Sequence, residues 1–476
     1  YAKEEFREKW DKKYPNILKS WDKNWAELTA FFEYPAEIRR IIYTTNAVES
    51  YHKMVRKFTK SKAIFPTDDS IRKVIYMIVT EISKKWTMPV RDWGRATAFT
   101  FLERSSIIRD MEIEKLKEEI TKIKEPRRTG YGNIRHKLED IIIIGLCTVI
   151  CGGEDFVDME EFGKSRKENL AKFLELPNGI PDSDTFRRVF EKINPSELSS
   201  CLINWVSTER EKRSVVAIDG KTICGSGNSS HKAYHVISAF VAENQITLGE
   251  LTVEEKTNEI VAVPELLDLI DIKGEIVTAD AMSCQKKIVE KIISKKADYT
   301  IGLKQNQPML YQDTEDYFNE YGSTLPSKIT HEKNHGRIEK REYRLLTDIS
   351  WLEQKDEWKG LKALGMAKSK ITENNEIREY TRYFITSLTD IDEFADSVRK
   401  HWSIENQLHW CLDVIFREDS SRARKDNSPL NMNVLRKTAL NLVSQAQYGR
   451  ISKKKLMFKA ALEPNLFLDI LFFPKK

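Results

Sequence analysis

The chain has 476 residues, which is more than one hydrophobic core usually organises, so we expect two or three domains. With 40% hydrophobic and 32% charged residues, and with only 14 Pro and 19 Gly, the composition excludes a disordered or fibrous protein. The formal net charge of +5 is uneven, because residues 1–110 hold 22 Lys and Arg against 15 Asp and Glu, which leaves +7 there and −2 in the remainder.

Neither a membrane span nor a disulfide framework is expected. The longest apolar run, 141–151, is well short of the roughly 18 residues that span a bilayer, and acidic residues flank it, so it predicts a buried helix. The six Cys include no C-x-x-C pair, which disfavours a zinc ribbon and a disulfide framework and fits a reducing cytoplasm. The charged N-terminus predicts no signal peptide, and a start at Tyr rather than Met predicts a fragment or a processed product.

The first segment, residues 1–105, is predicted to be mostly helical. Its densest basic stretch, HKMVRKFTKSK at 52–62, is open to two interpretations, a phosphate contact or a solvated helix face. Residues 106–133 are charged and amphipathic and end near Pro126 and Gly130, which indicates a linker or an exposed helix.

A second helical block covers residues 134–208, where helix starts are predicted at Ser183 and at Asn194, which Pro195 follows. The third block, 209–460, is richer in β-structure. Its apolar and helical runs follow in the order strand, strand, strand, helix, strand, helix, strand. A three-stranded meander followed by helix and strand alternation implies a mixed sheet with helices packed on it.

Two strands of this block end on an aspartate. Val215–Ile218 runs into Asp219, and Ile276–Ala279 runs into Asp280. An ionised carboxylate at the end of a buried strand is costly unless it is paired, hydrogen-bonded or bound to a metal. Either Asp alone also fits a simple turn, whereas both on one inferred sheet predict a functional site.

A third carboxylate, Glu405, lies in the stretch HWSIENQLHWCLDVIF. At about 100° per residue, the apolar residues of this stretch cover one arc of a helix, and Glu405 falls within that arc. A glutamate there needs a cation or a protonated, hydrogen-bonded state. The alternative interpretation is a buried salt bridge to an arginine such as Arg399.

Three converging carboxylates would form a hard, all-oxygen site that suits Mg²⁺ or Mn²⁺ rather than zinc. Two such ions about 4 Å apart activate an attacking oxygen and stabilise the leaving one in phosphodiester chemistry. We therefore expect Asp219, Asp280 and Glu405 to be both the catalytic residues and the metal ligands.

The string HEKNH, which begins at His331, matches the H-E-x-x-H pattern of zinc proteases. That site requires a core-facing helix and a third ligand, and the residues that follow, RIEKREYRLL, lack a helical apolar face. We expect instead a turn at HGR, where His335 and Arg337 approach DNA phosphate.

Several motifs in order resemble the DDE transposases of bacterial insertion sequences. They are VVAIDGKT, IVTADAMSCQ, ADYTIGLKQNQ, HGRIEKRE and HWSIENQLHWCLDVIFREDSSRAR. The most similar group is that of the H repeat-associated proteins, within the broad IS4-like assemblage, and the match covers about 108–460. Residues 134–208 look like the family's transposase-associated N-terminal domain.

This resemblance implies a ribonuclease-H-like catalytic domain over 209–460, of the α+β or α/β class, with a mixed sheet flanked by helices. Asp219, Asp280 and Glu405 match the positions of the family's three carboxylates. The gap of 125 residues before Glu405 is about twice the first gap of 61, which a β-rich insertion at about 305–390 would produce.

The first segment is similar to a different family. The stretch from WAELTAFFEYP through TTNAVESYHKMVRKF looks like the C-terminal part of a mutator-type transposase, in which the Glu of the TNAxES motif is the third carboxylate. That position is Glu49 here. No segment of this sequence precedes it to carry the family's two aspartates, so we expect Glu49 to be inert and the segment to be a fused remnant.

The leading hypothesis is a Mg²⁺- or Mn²⁺-dependent transposase with two metal ions, which cuts at element ends and joins the freed 3′-hydroxyl to target DNA. Its predicted partners are DNA and a second copy in a homodimer, and its predicted location is cytoplasmic and nucleoid-associated. The predicted phosphate contacts are Lys221, Lys304, Arg337, Arg422 and Arg424. Two alternatives are a catalytically inactive DNA-binding regulator, including a domesticated remnant, and a structure-specific nuclease on the same fold.

Overall fold

The computed structural model describes most of the chain after residue 110 and part of what precedes it. The described residues are 111–128, 134–206, 213–227, 232–253, 259–334, 337–373, 376–446, 448–449 and 451–472, together with 68–83 and the positions 7, 10, 21, 52–53, 55–57 and 60. Two compact units divide the chain, Tyr1–Ile108 and Arg109–Lys476. No helix within these ranges is both long and apolar enough to cross a membrane.

The first unit contains the described helix α1 (Asp68–Ser83), within the segment predicted to be helical. In the basic stretch, positions 52–53 and 55–57 are also helical, and His52, Lys53 and Lys57 are exposed. This agrees with a solvated helix face, while the phosphate contact stays a prediction. Glu49 lies outside the described residues.

The second unit contains helices packed around one mixed sheet. The helices are α2 (111–121), α3 (Leu138–Ile150), α4 (Phe156–Ser165), α5 (Lys167–Leu170), α6 (Ser183–Lys192), α7 (Pro195–Val206), α8 (Glu259–Leu269), α9 (Lys286–Ser294), α10 (Pro308–Glu320), α11 (Ile391–His401), α12 (Ser428–Gln445), α13 (Lys453–Leu462) and α14 (Leu466–Phe472). The strands are β1 (Val215–Thr222), β2 (His235–Val241), β3 (Ile246–Val253), β4 (Ile276–Ala279), β5 (Asp298–Leu303), β6 (Ser327–Asn334), β7 (Arg337–Leu346), β8 (Ala363–Glu373) and β9 (Glu376–Thr386).

The charged stretch 106–133, for which a linker or an exposed helix is predicted, contains helix α2 among its described residues. Glu and Lys dominate α2, but Ile113, Leu116 and Ile120 recur three or four residues apart and are buried in the core of the helical block. An apolar stripe on one face is enough to dock a helix whose other face is charged. Residues 111–121 are therefore packed against the block instead of connecting it.

The buried helix predicted for the longest apolar run is confirmed. Every residue of α3 from Asp140 to Ile150 is buried, and the helix packs against α4 and α12. A helix that is apolar all round needs neighbours on every side, which these helices supply. The predicted start at Asn194 is also confirmed, since its side chain accepts a hydrogen bond from Ser196 N at 2.9 Å. At α6 the cap is Asp182, one residue before the predicted Ser183.

Asp140 lies in the first turn of α3 with its side chain buried, and one carboxylate oxygen accepts a hydrogen bond from Leu176 N at 3.3 Å. Burial raises the pKa of Asp140 to about 6. Because the folded pKa lies above the unfolded value near 3.8, the proton stabilises the fold below about pH 4, and this stabilisation is lost as the pH rises through 6. Asp140→Asn should therefore raise the free energy of unfolding by about 1 to 2 kcal/mol at pH 7.5.

Chemical denaturation at pH 7.5 and pH 4.5 tests this expectation, and the gain should fall to about a third at the lower pH, which lies between the unfolded and folded pKa values. Glu118→Gln, at an exposed position of α2, serves as the control. An Asp140→Asn protein less stable than the parent at pH 7.5 would show that the ionised carboxylate supports the fold.

One sheet crosses the second unit in the order β3-β2-β1-β4-β5-β9-β8-β7-β6. β1 and β4 pair in parallel, as do β4 and β5, whereas β2 and β3 continue antiparallel from β1. This confirms the predicted meander followed by alternating helices and strands. β9 joins β5 in antiparallel orientation, so the strands after residue 327 extend the same sheet.

Alternate residues of β1 face opposite sides of the sheet and pack in different cores. Val216 and Ile218 pack with α8 and α9, whereas Val215 packs with Phe394 of α11 on the other face. A sheet with strand order 3-2-1-4-5, parallel at its centre and covered by helices on both faces, is the mixed α/β, ribonuclease-H-like fold expected from the sequence.

Helix α12 joins the helical block to the sheet. Its polar residues are buried and bonded on both sides: Asn431 Nδ2 donates to Phe190 O at 2.7 Å, and Asn441 Oδ1 accepts from Thr247 N at 3.1 Å. Lys437 Nζ donates to Ser238 Oγ at 2.8 Å and pairs with Glu250. Since buried polar groups must be paired, these bonds fix the helix in one orientation.

Candidate active site

The sheet places Asp219 and Asp280 side by side. Ile218 pairs with Ala279 in the parallel register of β1 and β4, and an aspartate follows each of them. Asp280 comes directly after β4, as predicted, whereas β1 continues through Asp219 to Thr222, so the predicted end of that strand at Asp219 is wrong. Because neighbouring strands lie about 4.8 Å apart, the two backbones hold these carboxylates next to each other at the centre of the sheet.

Asp219 is the more enclosed of the two, with a side chain 22% exposed against 71% for Asp280. Burial, together with the negative charges of Asp280 and Glu405, raises the pKa of Asp219 to about 6. A carboxylate that is hard to ionise beside two others is in an environment that a cation would stabilise.

Asp280 is positioned by His401, at the end of α11. The distance from His401 Nε2 to Asp280 Oδ1 is 3.5 Å, and the other ring nitrogen, Nδ1, lies 3.0 Å from Thr278 Oγ1. The hydrogen bond from His401 lowers the pKa of Asp280, and the charges of Lys304 and Arg382 act in the same direction. Asp280 therefore stays ionised next to the less acidic Asp219.

Glu405 lies on a segment that is not a regular α-helix. Ile404–His409 and Cys411–Ile415 are π-helical, with Phe416 N donating to Cys411 O at 3.1 Å, five residues back. The wider turn moves Glu405 out of the apolar face that α-helical spacing predicts, and its side chain is exposed. Such π-helical turns occur frequently at functional sites.

The predicted alternative partner of Glu405 is engaged elsewhere. Arg399 binds Glu332 through two contacts, Nε to Oε1 at 2.7 Å and Nη2 to Oε2 at 2.9 Å. The interpretation of Glu405 as half of a buried salt bridge with Arg399 is therefore wrong. The negative charge of Glu405 instead raises the pKa of Asp219.

The apolar side of this segment packs on the helical block. Ile404, Leu408 and Leu412 are fully buried in the core that contains α3, α6 and α7. From the sheet, only Ala217 and Phe240 belong to that core among the described residues. The same core includes residues of α12, and the Glu405 segment directly contacts α12 and strand β1.

His409 lies one turn after Glu405, and its Nδ1 is 3.7 Å from Asp219 Oδ2. Burial, followed by the charges of Lys437 and Lys221, lowers the pKa of His409 to about 3. The ring is therefore neutral at physiological pH and adds no positive charge to the site.

The donor set fits a divalent cation by its chemistry, since carboxylate oxygens are the ligands that Mg²⁺ and Mn²⁺ prefer. The negative charges of Asp280 and Glu405 raise the pKa of Asp219, and a bound cation would offset this effect. Within the described part of the chain, no three His, Cys, Asp or Glu side chains are gathered closely enough to form a ready-made metal site. The arrangement thus has suitable ligand types without a completed ligand sphere.

The predicted phosphate contacts fall in different places. Lys304 is exposed in a cleft of about 620 Å³ that Asp280 also lines. Arg422 and Arg424 are exposed after the π-helical segment, and Arg424 Nε donates to Gly225 O at 2.9 Å. Lys221, by contrast, is 11% exposed and contacts carboxylates.

Arg337 lies on the outer strands of the sheet, in a groove of about 330 Å³. The groove also contains Arg341 and Arg399, which share Glu332 as an ion-pair partner. His331 is in strand β6, so HEKNH does not begin the helix that a zinc protease needs. His335 lies outside the described residues.

Sequence reasoning did not identify His401 or Arg382 as parts of the site. His401 is four residues before Glu405, so helical spacing would have predicted that the two side chains lie on the same face, one turn apart. Arg382 is brought beside Lys304 by the pairing of β5 with β9, and its guanidinium lies 4.7 Å from the ring centroid of Trp402. No local pattern indicates that pairing, since about 80 residues separate the strands.

Family models match three regions of the chain. Residues 1–89 match the Mutator family of transposases, residues 117–206 match the DDE_Tnp_1-associated family, and residues 210–442 match the transposase DDE domain. The resemblances that the sequence motifs indicate are therefore confirmed for both parts of the chain.

Individual relatives agree with this division. The H repeat-associated protein YhhI of Escherichia coli (strain K12), whose name describes it as a transposase, is 37% identical over 375 residues, which cover 76% of this chain and 98% of the relative. The transposase of insertion sequence element ISRM3 from Rhizobium meliloti (strain 1021) is 38% identical over 87 residues, 18% of this chain and 22% of its own length. A cryo-EM structure of the piggyBac transposase synaptic complex with hairpin DNA aligns over 74% of this chain and 76% of its own, at 9% identity and a TM-score of 0.37.

Proposed function

This chain belongs to the DDE transposases of the H repeat-associated group, and we propose that Asp219, Asp280 and Glu405 are its catalytic carboxylates. The single observation that supports this assignment is electrostatic: Asp219 is buried where the charges of both Asp280 and Glu405 raise its pKa to about 6. Asp219 is therefore within electrostatic range of two carboxylates that come from distant parts of the sequence.

The three proposed catalytic carboxylates lie in different surroundings. Asp219 is enclosed on the strand, Asp280 is oriented by His401, and Glu405 approaches from the solvent side on the π-helical segment. DDE transposases depend on divalent metal, and we propose two Mg²⁺ or Mn²⁺ ions, which when bound would activate the attacking oxygen and stabilise the leaving one. His409 is enclosed, with Nδ1 3.7 Å from Asp219 Oδ2, so we assign it a packing role beside Asp219.

DNA is the substrate of the family, and we propose that its phosphates contact Lys304, Arg422, Arg424 and Arg337. Lys304 is the best supported, because it is exposed in the cleft that contains Asp280. Two element ends must be joined to one target, so we propose a homodimer in the synaptic complex. We also propose that the protein acts at the nucleoid, where this DNA is found.

Lys304→Met should weaken DNA binding at all sequences and reduce the slope of log affinity against log salt by about 1, because one phosphate contact is removed. Fluorescence anisotropy of a labelled duplex at four NaCl concentrations measures both quantities. Lys172→Met, an exposed lysine of the helical block, is the matched control. An unchanged slope in Lys304→Met would remove Lys304 from the interface.

The proposed function is tested with a supercoiled plasmid that carries this coding sequence and its native flanks. The full chain is incubated with that plasmid and a linear target, with Mg²⁺, with Mn²⁺ or with EDTA. Metal-dependent nicks at the element ends, and products in which those ends are joined to the target, are the expected result. Binding without cleavage under every condition would favour the DNA-binding regulator, and nicks without joined products would favour the nuclease.

A further inference from the structure

Lys221 occupies an enclosed position beside the proposed catalytic residues. It follows Asp219 by two residues on β1, and its side chain is 11% exposed. Its Nζ lies 2.8 Å from Asp413 Oδ1, 2.9 Å from Glu418 Oε2 and 3.7 Å from Asp419 Oδ1. The ammonium group is thus surrounded by carboxylates of its own chain.

All three carboxylates belong to the stretch that follows Glu405. Asp413 is inside the second π-helical turn, and Glu418 and Asp419 are in the short helical turn Glu418–Ser420 that follows. Glu418 is completely buried, and its other oxygen, Oε1, accepts a hydrogen bond from Asn433 Nδ2 at 2.7 Å. Removing the lysine would leave a buried carboxylate without its main cation, which is strongly destabilising.

These contacts set the position of the Glu405 segment along β1. Asp413 is opposite Lys221, and His409, one turn earlier, is opposite Asp219. The apolar residues of the segment fix its depth against the helical block, but contacts between apolar side chains are non-directional. The ion pair joins particular residues, so it favours the alignment in which His409, one turn before Asp413, faces Asp219.

The loop after β1 reinforces the same attachment. Cys224 N donates to Asp419 Oδ1 at 3.1 Å, and Arg424 Nε donates to Gly225 O at 2.9 Å. A Cβ atom on Gly225 would lie 2.8 Å from Asp419 O, so the two backbones are too close for any larger residue. The strand and the Glu405 segment therefore meet along a continuous contact that begins at Lys221.

We propose that Lys221 is a positioning residue that fixes the Glu405 segment against strand β1, and that it does not contact DNA phosphate. The catalytic part of this inference rests on the proposed function, because it assumes that Glu405 acts together with Asp219. The attachment itself is a property of the free protein and is measurable without DNA.

Three variants of the full chain test the proposal: Lys221→Met removes the ammonium group, Lys221→Arg retains a cation, and Lys304→Met is the control for a phosphate contact. In hydrogen exchange without DNA, Lys221→Met should speed the exchange of amides in 404–416 at least tenfold, and Lys304→Met should leave them unchanged. In cleavage assays, Lys221→Met should be about 10- to 100-fold slower, the usual effect of losing a supporting partner, and Lys221→Arg should recover most of the rate.

DNA affinity separates the proposal from its alternative. Lys221→Met should keep the parent's salt slope, whereas Lys304→Met should reduce it. A slope reduced by about 1 in Lys221→Met, with unchanged hydrogen exchange, would overturn the proposal and make Lys221 a phosphate contact. Unchanged exchange with an unchanged slope would overturn it as well.

A further variant covers the case in which Lys221→Met does not fold. Asp413→Asn removes one partner at a position 35% exposed and should show the same faster exchange in 404–416, to a smaller extent. Unchanged exchange there would contradict the proposal. If the parent protein fails to cleave DNA, the proposed function fails, while hydrogen exchange still decides the attachment.

Discussion

Replacing Asp219 with asparagine is expected to lower DNA cleavage by about a hundredfold to a thousandfold, the range seen when a preorganised group that stabilises developing charge is lost. The asparagine would keep the size of the side chain and remove the charge that Asp280 and Glu405 oppose. DNA affinity should be retained, because the change removes a negative charge near the substrate. Nicking of the supercoiled plasmid measures the rate, and anisotropy measures the affinity.

Asp356→Asn is the matched control, since Asp356 is an exposed aspartate in a short turn between β7 and β8. Its cleavage rate should equal that of the parent. Asp280→Asn and Glu405→Gln should resemble Asp219→Asn, because the three carboxylates are proposed to act together. Cleavage by Asp219→Asn at close to the parent rate would remove this residue from the reaction.

Leu412→Ala is expected to cost about 2 to 5 kcal/mol of unfolding free energy, the usual range for a fully buried leucine. Leu412 is completely buried in the core shared by the Glu405 segment and the helical block. The cavity would also loosen the segment, so cleavage should fall even at temperatures where the protein remains folded. Chemical denaturation and plasmid nicking at the same low temperature measure the two effects.

Val414→Ala provides the comparison within the same segment, because Val414 is 49% exposed. It should change the unfolding free energy by less than about 0.5 kcal/mol. If Leu412→Ala destabilises the protein but cleaves at the parent rate, the helical block stabilises the chain without holding Glu405 in place.

The centre of the sheet could be predicted because its signals are local. Apolar runs that end in Asp219 and Asp280 indicate both the strands and the carboxylates, and parallel pairing then brings the two together. The buried helix α3 was predictable for the same reason. By contrast, the packing of α2 was not predicted, because the helix is mostly charged and only three isoleucine and leucine residues are buried.

The rest of the site depends on distant contacts. Glu405 is exposed because its segment forms π-helical turns, whereas the prediction assumed the spacing of an α-helix. The partner of Arg399 is Glu332, 67 residues earlier, and the partners of Lys221 are nearly 200 residues later. Short-range patterns contain no information about such pairs, so the predicted roles of Arg399 and Lys221 rested on charge alone.

Helix α12 has a consequence for recombining this protein with its relatives. Its buried asparagines serve opposite neighbours, since Asn431 binds the carbonyl of Phe190 and Asn441 binds the amide of Thr247. A chimera that exchanged only residues 117–206 would have to match donors and acceptors at a helix more than 200 positions away. We expect a chimera to fold when residues 117–206 and helix α12 are taken together from the same relative.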